Sequence, residues 1–174
     1  PRASDSISRH YFFSGNFDQA RQYAQRAVKL NPSYPEAHNS LGQALVHSGK
    51  YSEAEPHFNK AIELNPLDTN AIIYKDGLFF THMGLGNFEI AYSLIQECVA
   101  QFSEAGFYKG FRASVMGYLN KGGEAKEALD EYLVLRPNLN KKSDYKKIFV
   151  PNSTLADILI EGLVKAGWQP EDVG

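Results

Sequence analysis

The chain overlays on itself when shifted by 34 residues. The shift carries Gly15 onto Gly49, Phe17 onto Tyr51, Ala20 onto Ala54 and Ala27 onto Ala61. It also carries Leu30-Asn31-Pro32 onto Leu64-Asn65-Pro66. A fixed period of this kind means that one small supersecondary unit recurs, each copy too small to bury its apolar face alone. The clearest copy runs from Pro35 to Pro66, with two helical patterns on either side of a turn at Ser48-Gly49-Lys50. Gly42, Ala54 and Ala61 let two helices approach closely, and Leu41, Leu45, Tyr51 and Phe58 fill the space around them. The proline after each second helix fits a helix end, because proline cannot continue the hydrogen-bond ladder.

This period and this placing of small and large residues resemble the tetratricopeptide repeat. In the family's pattern the second copy keeps Leu41-Gly42, Leu45, Gly49, Tyr51, Ala54, Phe58, Ala61 and Pro66, and departs at His38, where tryptophan is usual. The first copy keeps its second helix, Phe17 to Leu30, and has Ser8 where the family prefers glycine. In the third, Gly84-Leu85-Gly86 lengthens the turn, so Phe88, Ala91, Ile95 and Cys98 match Tyr51, Ala54, Phe58 and Ala61 at an offset of 37. The fourth reads as a helix from Glu104 to Lys121, a turn at Gly122-Gly123 and a helix from Glu124 to Leu135, with Arg136-Pro137 closing it. The resemblance implies an all-α fold, a right-handed superhelix of helical hairpins. Its repeats would span 1–34, 35–68, 69–103 and 104–137, and together fill 1–137.

After Pro137 the period stops. Residues 138–152 read as a polar, basic, solvated linker around Lys141, Lys142, Lys146 and Lys147, with a short turn of helix at Asp144–Phe149. Within 153–174, Leu155, Ile158, Leu159, Gly162, Leu163 and Ala166 fall on one helix face, behind the capping residues Asn152-Ser153-Thr154. This reads as a helix that caps the open end of the last repeat, followed by a tail. Its sequence, Ile160 to Trp168, resembles the end of repeat regions in bacterial adenylate cyclase-like proteins and winged-helix regulators. That second resemblance is short and brings no catalytic residue with it.

A net charge of −2 gives no bulk electrostatic attraction for nucleic acid or anionic membrane, so no nucleic acid and no membrane insertion are expected. The single cysteine, Cys98, excludes an internal disulfide and fits a reducing, cytoplasmic setting. The five histidines show no short metal-binding spacing, so neither metal nor cofactor is expected. Gly84–Asn87 and Gly122-Gly123 lack the strand, lysine and hydroxyl of a nucleotide loop. No nucleophile turn supports a triad, and the chain is read as a non-enzyme. Pro1 at the first position reads as the edge of a piece of a longer protein.

The resemblance implies that a protein or peptide partner lies along the concave face made by the first helix of each repeat. Carried over residue by residue, that face comprises Arg9, Phe12 and Phe13 from the first repeat. Asn39, Ser40, Gln43 and His47 come from the second, and Asn70 and Tyr74 from the third. Amides, hydroxyls, an arginine and aromatics suit a peptide held by polar main-chain contacts and aromatic anchors, with Phe12, Phe13, Tyr74 and Phe79 or Phe80 as the anchors. The carboxylate clamp of chaperone-binding relatives is rejected, since Asp5 stands where its first lysine would be and would repel a terminal carboxylate. Two alternatives remain. One is a small-molecule sensor framed by the wide turn at Gly84–Asn87. The other is a self-association module, a homodimer formed through the terminal helices.

Overall fold

A computed structural model describes residues 1–66, 71–103, 105–151 and 153–171. Among these residues the chain is all helix and turn, with no strand. Ten helices follow one another: α1 (Arg2–Phe13), α2 (Phe17–Leu30), α3 (Pro35–His47), α4 (Tyr51–Leu64), α5 (Ala71–Leu85), α6 (Phe88–Gln101), α7 (Gly106–Tyr118), α8 (Gly122–Leu135), α9 (Lys142–Lys146) and α10 (Leu155–Lys165). They form two compact units. One holds Pro1–Leu85 together with Val150–Leu155, and the other holds Gly86–Phe149 with Ala156–Gly174.

In the first unit the helix ends follow the local sequence. Asn16 caps α2 by accepting a hydrogen bond from the Gln19 amide at 3.2 Å, and Pro35 occupies the first turn of α3, where its missing N–H costs nothing. Gly15 and Gly49 have φ of +73° and +79°, a left-handed turn between paired helices that glycine adopts without steric cost. The packing centres on Phe58 of α4, which is fully buried. Its ring lies against the backbone of Gly42 on α3 and of Gly77 on α5, and a Cβ at Gly42 would come within 2.7 Å of it. Tyr51, two turns earlier on α4, lies against Gly84 in the same way. Ser8, in the place where glycine was preferred, is also accommodated: it is buried and its hydroxyl donates to the Ala20 carbonyl at 2.7 Å, joining α1 to α2.

In the second unit, α6 packs on α7 and α7 on α8. Ala91, Ile95 and Cys98 of α6 are wholly buried, in keeping with the small and apolar places assigned to them. Tyr132 of α8 packs on Gly110 of α7. The last helix, α10, crosses α7 at backbone contact, with Gly117 meeting Gly162. Ser114 and Tyr118 reinforce the crossing by donating to the carbonyls of Leu159 (3.0 Å) and Ile158 (2.9 Å). The stretch read as a solvated linker has a split character. Lys141, Lys146 and Lys147 are exposed, but Tyr145 of α9 is 1% exposed, with the Phe149 and Trp168 rings at 5.4 Å and 6.1 Å. Burial of one aromatic makes this short helix part of the core, which charge counting along the sequence does not reveal.

Replacing an exposed helical glycine by alanine ordinarily stabilises a helix by about 1 kcal/mol. Gly77→Ala and Gly42→Ala are expected to do the reverse, destabilising by about 1–3 kcal/mol, because the new methyl meets the Phe58 ring. Gly123→Ala, with open space around it, is expected to be neutral or stabilising. Urea midpoints for the three variants test the contrast.

Candidate peptide-binding face

Within the first unit α1 touches α3 and α3 touches α5, so these three helices form one inner row, with α2 and α4 packed behind it. The row is stitched at two levels. At the level of the α3 N-terminal half, Ser40 donates to Asp5 Oδ1 at 2.6 Å, with both side chains buried. Burial pushes the Asp5 carboxyl above its ordinary pKa, against the opposing pull of the Ser40 hydrogen bond and the Arg9 charge. At the other level the His47 ring meets Phe12 edge-on at 4.8 Å, Phe17 at 5.7 Å and Phe80 at 6.3 Å. Burial alone lowers the His47 pKa to about 4, so the imidazole is neutral at physiological pH.

The other residues expected on this face differ in how open they are. Arg9 is exposed, Asn39 and Gln43 are half-buried, and Asn39 Oδ1 is sealed from solvent without a hydrogen-bond partner. Phe13, at the end of α1, leaves 63% of its surface open, while Phe12 beside it is half-buried. The other expected face residues sit deeper. Ser40 is spent on Asp5, His47 is 6% exposed within its aromatic cluster, and Tyr74 is 4% exposed. Asn70 lies outside the described residues. Of the expected aromatic anchors, Phe79 and Phe80 are core residues at 0% and 6%, so Phe13 is the ring that faces outward.

Two features escaped the sequence reading. Asp76 of α5 shares a helix face with Ile72, Phe79 and Met83, all buried. Its Oδ1 is sealed from solvent without a hydrogen-bond partner, and burial raises the carboxyl pKa to about 7. The i, i+4, i+7 spacing to the apolar residues was the available signal. The second feature is that Val150–Leu155 belongs to this unit. Pro151 packs on Gly15, the Thr154 amide donates to the His47 carbonyl at 3.3 Å, and Ser153 Oγ lies 2.9 Å from His47 Nδ1.

Two further histidines, His38 and His57, and the cysteine sit in structural contacts. His38 bonds the Pro32 carbonyl through Nε2 at 2.9 Å and meets His57 Nδ1 at 3.2 Å, and Cys98 is fully buried. Among the described residues no group of three or more His, Cys, Asp or Glu is arranged to hold a metal, and no helix is long and apolar enough to cross a membrane.

Residues 7–69 match the family model described as tetratricopeptide repeat. The backbone also superposes on solved tetratricopeptide structures along nearly its whole length. The fold is that of a tetratricopeptide repeat protein. MamA is 19% identical over 92% of this chain and 92% of its own, with a TM-score of 0.64. A thermophilic TPR protein from Thermus thermophilus is 18% identical over 95% and 89%, with a TM-score of 0.67. Pseudomonas aeruginosa pilF is 19% identical over 97% and 77%, with a TM-score of 0.64. At these identities the likeness extends to the tetratricopeptide fold and not to a partner. No curated protein matches the sequence.

Asp76 gives this tetratricopeptide unit a pH signature. A carboxyl whose folded pKa is raised from 3.8 to about 7 binds more protons folded than unfolded between those values, so its contribution to stability falls as pH rises through that window. His47, lowered from 6.5 to about 4, acts with the opposite sign, stabilising least at low pH. Asp76→Asn is expected to match wild type near pH 4 and to exceed it increasingly up to about pH 7, by a few kcal/mol at the plateau. Denaturant melts of both proteins across pH 4–8 test the divergence.

Proposed function

We propose that the chain is a non-enzymatic protein-interaction module that binds a peptide or protein segment along the inner row α1–α3–α5. A tetratricopeptide fold is a protein-interaction scaffold, and that coarse role follows from the repeats themselves. The finer reading is carried by one observation. Along a row fixed by the Asp5–Ser40 and Phe12–His47 stitches, Arg9, Asn39 and Gln43 are at least partly open and the Phe13 ring is exposed.

The chemistry of that stretch suits an extended segment. Side-chain amides can exchange hydrogen bonds with a peptide main chain, which gives affinity without demanding one sequence. An open aromatic ring supplies the apolar anchor that such interfaces concentrate their energy on. The buried stitches hold the three helices at fixed spacing, so the segment meets a preformed surface and little ordering cost falls on the protein side. The ending Ile160 to Trp168, with its likeness to repeat regions behind bacterial output domains, supports a place in a larger cytoplasmic signalling or regulatory protein. The bacterial origin of the Thermus and Pseudomonas structures is in keeping with this.

Selection of a random peptide display library on the purified chain tests the groove. Peptides enriched on wild type are expected to lose about tenfold or more in affinity for Phe13→Ala/Asn39→Ala/Gln43→Ala, with helix content retained by circular dichroism. Equal binding to the folded variant would move the site off the inner row.

A further inference from the structure

The α2–α3 turn, α3 and α4 meet at two histidine rings. His38, near the start of α3, is buried, and its Nε2 lies 2.9 Å from the Pro32 carbonyl in the turn before the helix. Its Nδ1 lies 3.2 Å from Nδ1 of His57 on α4, a ring that is half-buried. The ring centroids are 5.5 Å apart, so the two nitrogens face each other nearly on the line between the rings. In the tetratricopeptide pattern tryptophan usually stands in the place of His38. An indole N–H could serve the carbonyl, but it has no lone pair to offer a second ring.

The contacts limit how many protons the pair can hold. A carbonyl only accepts, so His38 Nε2 carries a proton. In a neutral His38 ring Nδ1 is then bare, and the bond between the rings requires the proton on His57 Nδ1. One further proton fits without disturbing that bond, on His57 Nε2 at the far side of its ring. A second further proton has only the facing nitrogens left. Both would then carry hydrogen and both rings a positive charge, which no hydrogen bond between them survives. Burial, followed by the His38 charge, holds the His57 pKa below the ordinary histidine value, and Glu53, one turn back on α4, pulls the other way. Glu53 is itself shared with Lys50 at 3.8 Å, and Lys60, on the next turn, is held by Glu63 at 2.7 Å.

We infer that the His38–His57 pair is an acid-released latch: with at most one positive charge it ties α4 through α3 to the α2–α3 turn, and with two it parts. A histidine whose folded pKa lies below the unfolded value of 6.5 takes up fewer protons folded than unfolded as pH falls through that value. The stability the latch contributes is therefore present above 6.5 and lost on acidification. This goes beyond the inner-row reading, of which neither histidine is part. Because His38 directly precedes Asn39, release acts on the middle helix of that row.

The test is nitrogen NMR of the full chain with isotopically labelled histidine. Near neutral pH, His38 is expected to be protonated on Nε2 and His57 on Nδ1, with a nitrogen–nitrogen coupling across the bond between the rings. On acidification the pair is expected to titrate in two steps about one pH unit or more apart, an affinity difference of about tenfold, with the coupling lost at the second. His57→Phe keeps a ring but no nitrogen. It is expected to leave His38 titrating in one step and to flatten the fall of the urea midpoint between about pH 7 and about pH 5. Asp76 and His47 titrate in both proteins, so their effects cancel in the difference. No coupling at neutral pH, a coupling that survives with both rings charged, titration of both rings at a common pH, or an equal fall of both urea midpoints would each overturn the inference. The coupling is read on wild type and decides the matter even if the variant does not fold.

Discussion

The first unit depends on one ring being gripped by two bare backbones. Phe58 sits on α4 with Gly42 of α3 on one side and Gly77 of α5 on the other, and it has no exposed surface. Interiors packed near crystal density leave no slack at such a contact. The distance from α4 to each neighbour is therefore fixed by the thickness of a phenyl ring rather than by side chains that can change rotamer. Since α3 and α5 are the middle and last helices of the inner row, the spacing of that row is set from behind, by a residue that never reaches its surface. The places where a partner would lie can then differ in sequence without disturbing the frame.

Much of this was legible in the chain because the repeat is written in residues with one steric use each. The overlay of Gly15 on Gly49 and Ala20 on Ala54 marks turns and close contacts that hardly any other side chain permits. The departures were legible as departures but not in their resolution. Ser8 in a glycine place looked like a weakening, yet its hydroxyl finds the Ala20 carbonyl, which no spacing rule reveals. Tyr145 was hidden among lysines because its partners, Phe149 and Trp168, include a residue more than twenty positions away.

The candidate faces were legible only in part, for a related reason. Helical position says which way a side chain leaves its helix, and it placed Arg9, Asn39 and Gln43 on the inner row. It does not say what the neighbours will do with that side chain. Ser40 and His47 leave in the expected direction and are consumed there, one by Asp5 and the other by aromatic rings and by Ser153. The bond from His47 to Ser153 spans 106 residues and that from Tyr51 to Thr154 spans 103, so no local pattern encodes either. Asp76 is the converse case, a polar residue on an apolar face whose Oδ1 is sealed from solvent with no partner to offset that burial.

The crossing of α7 and α10 has a consequence for the end of the chain. Where Gly117 meets Gly162 the two backbones touch, and the carbonyls of Ile158 and Leu159 are each engaged by a hydroxyl from α7. Sliding α10 by one residue would bring the side chain of Glu161 or Leu163 into a gap that admits only hydrogen. Turning it would strip both carbonyls of their donors. α10 thus has a single seat and behaves as a keyed stopper, fixed in both position and direction relative to α7.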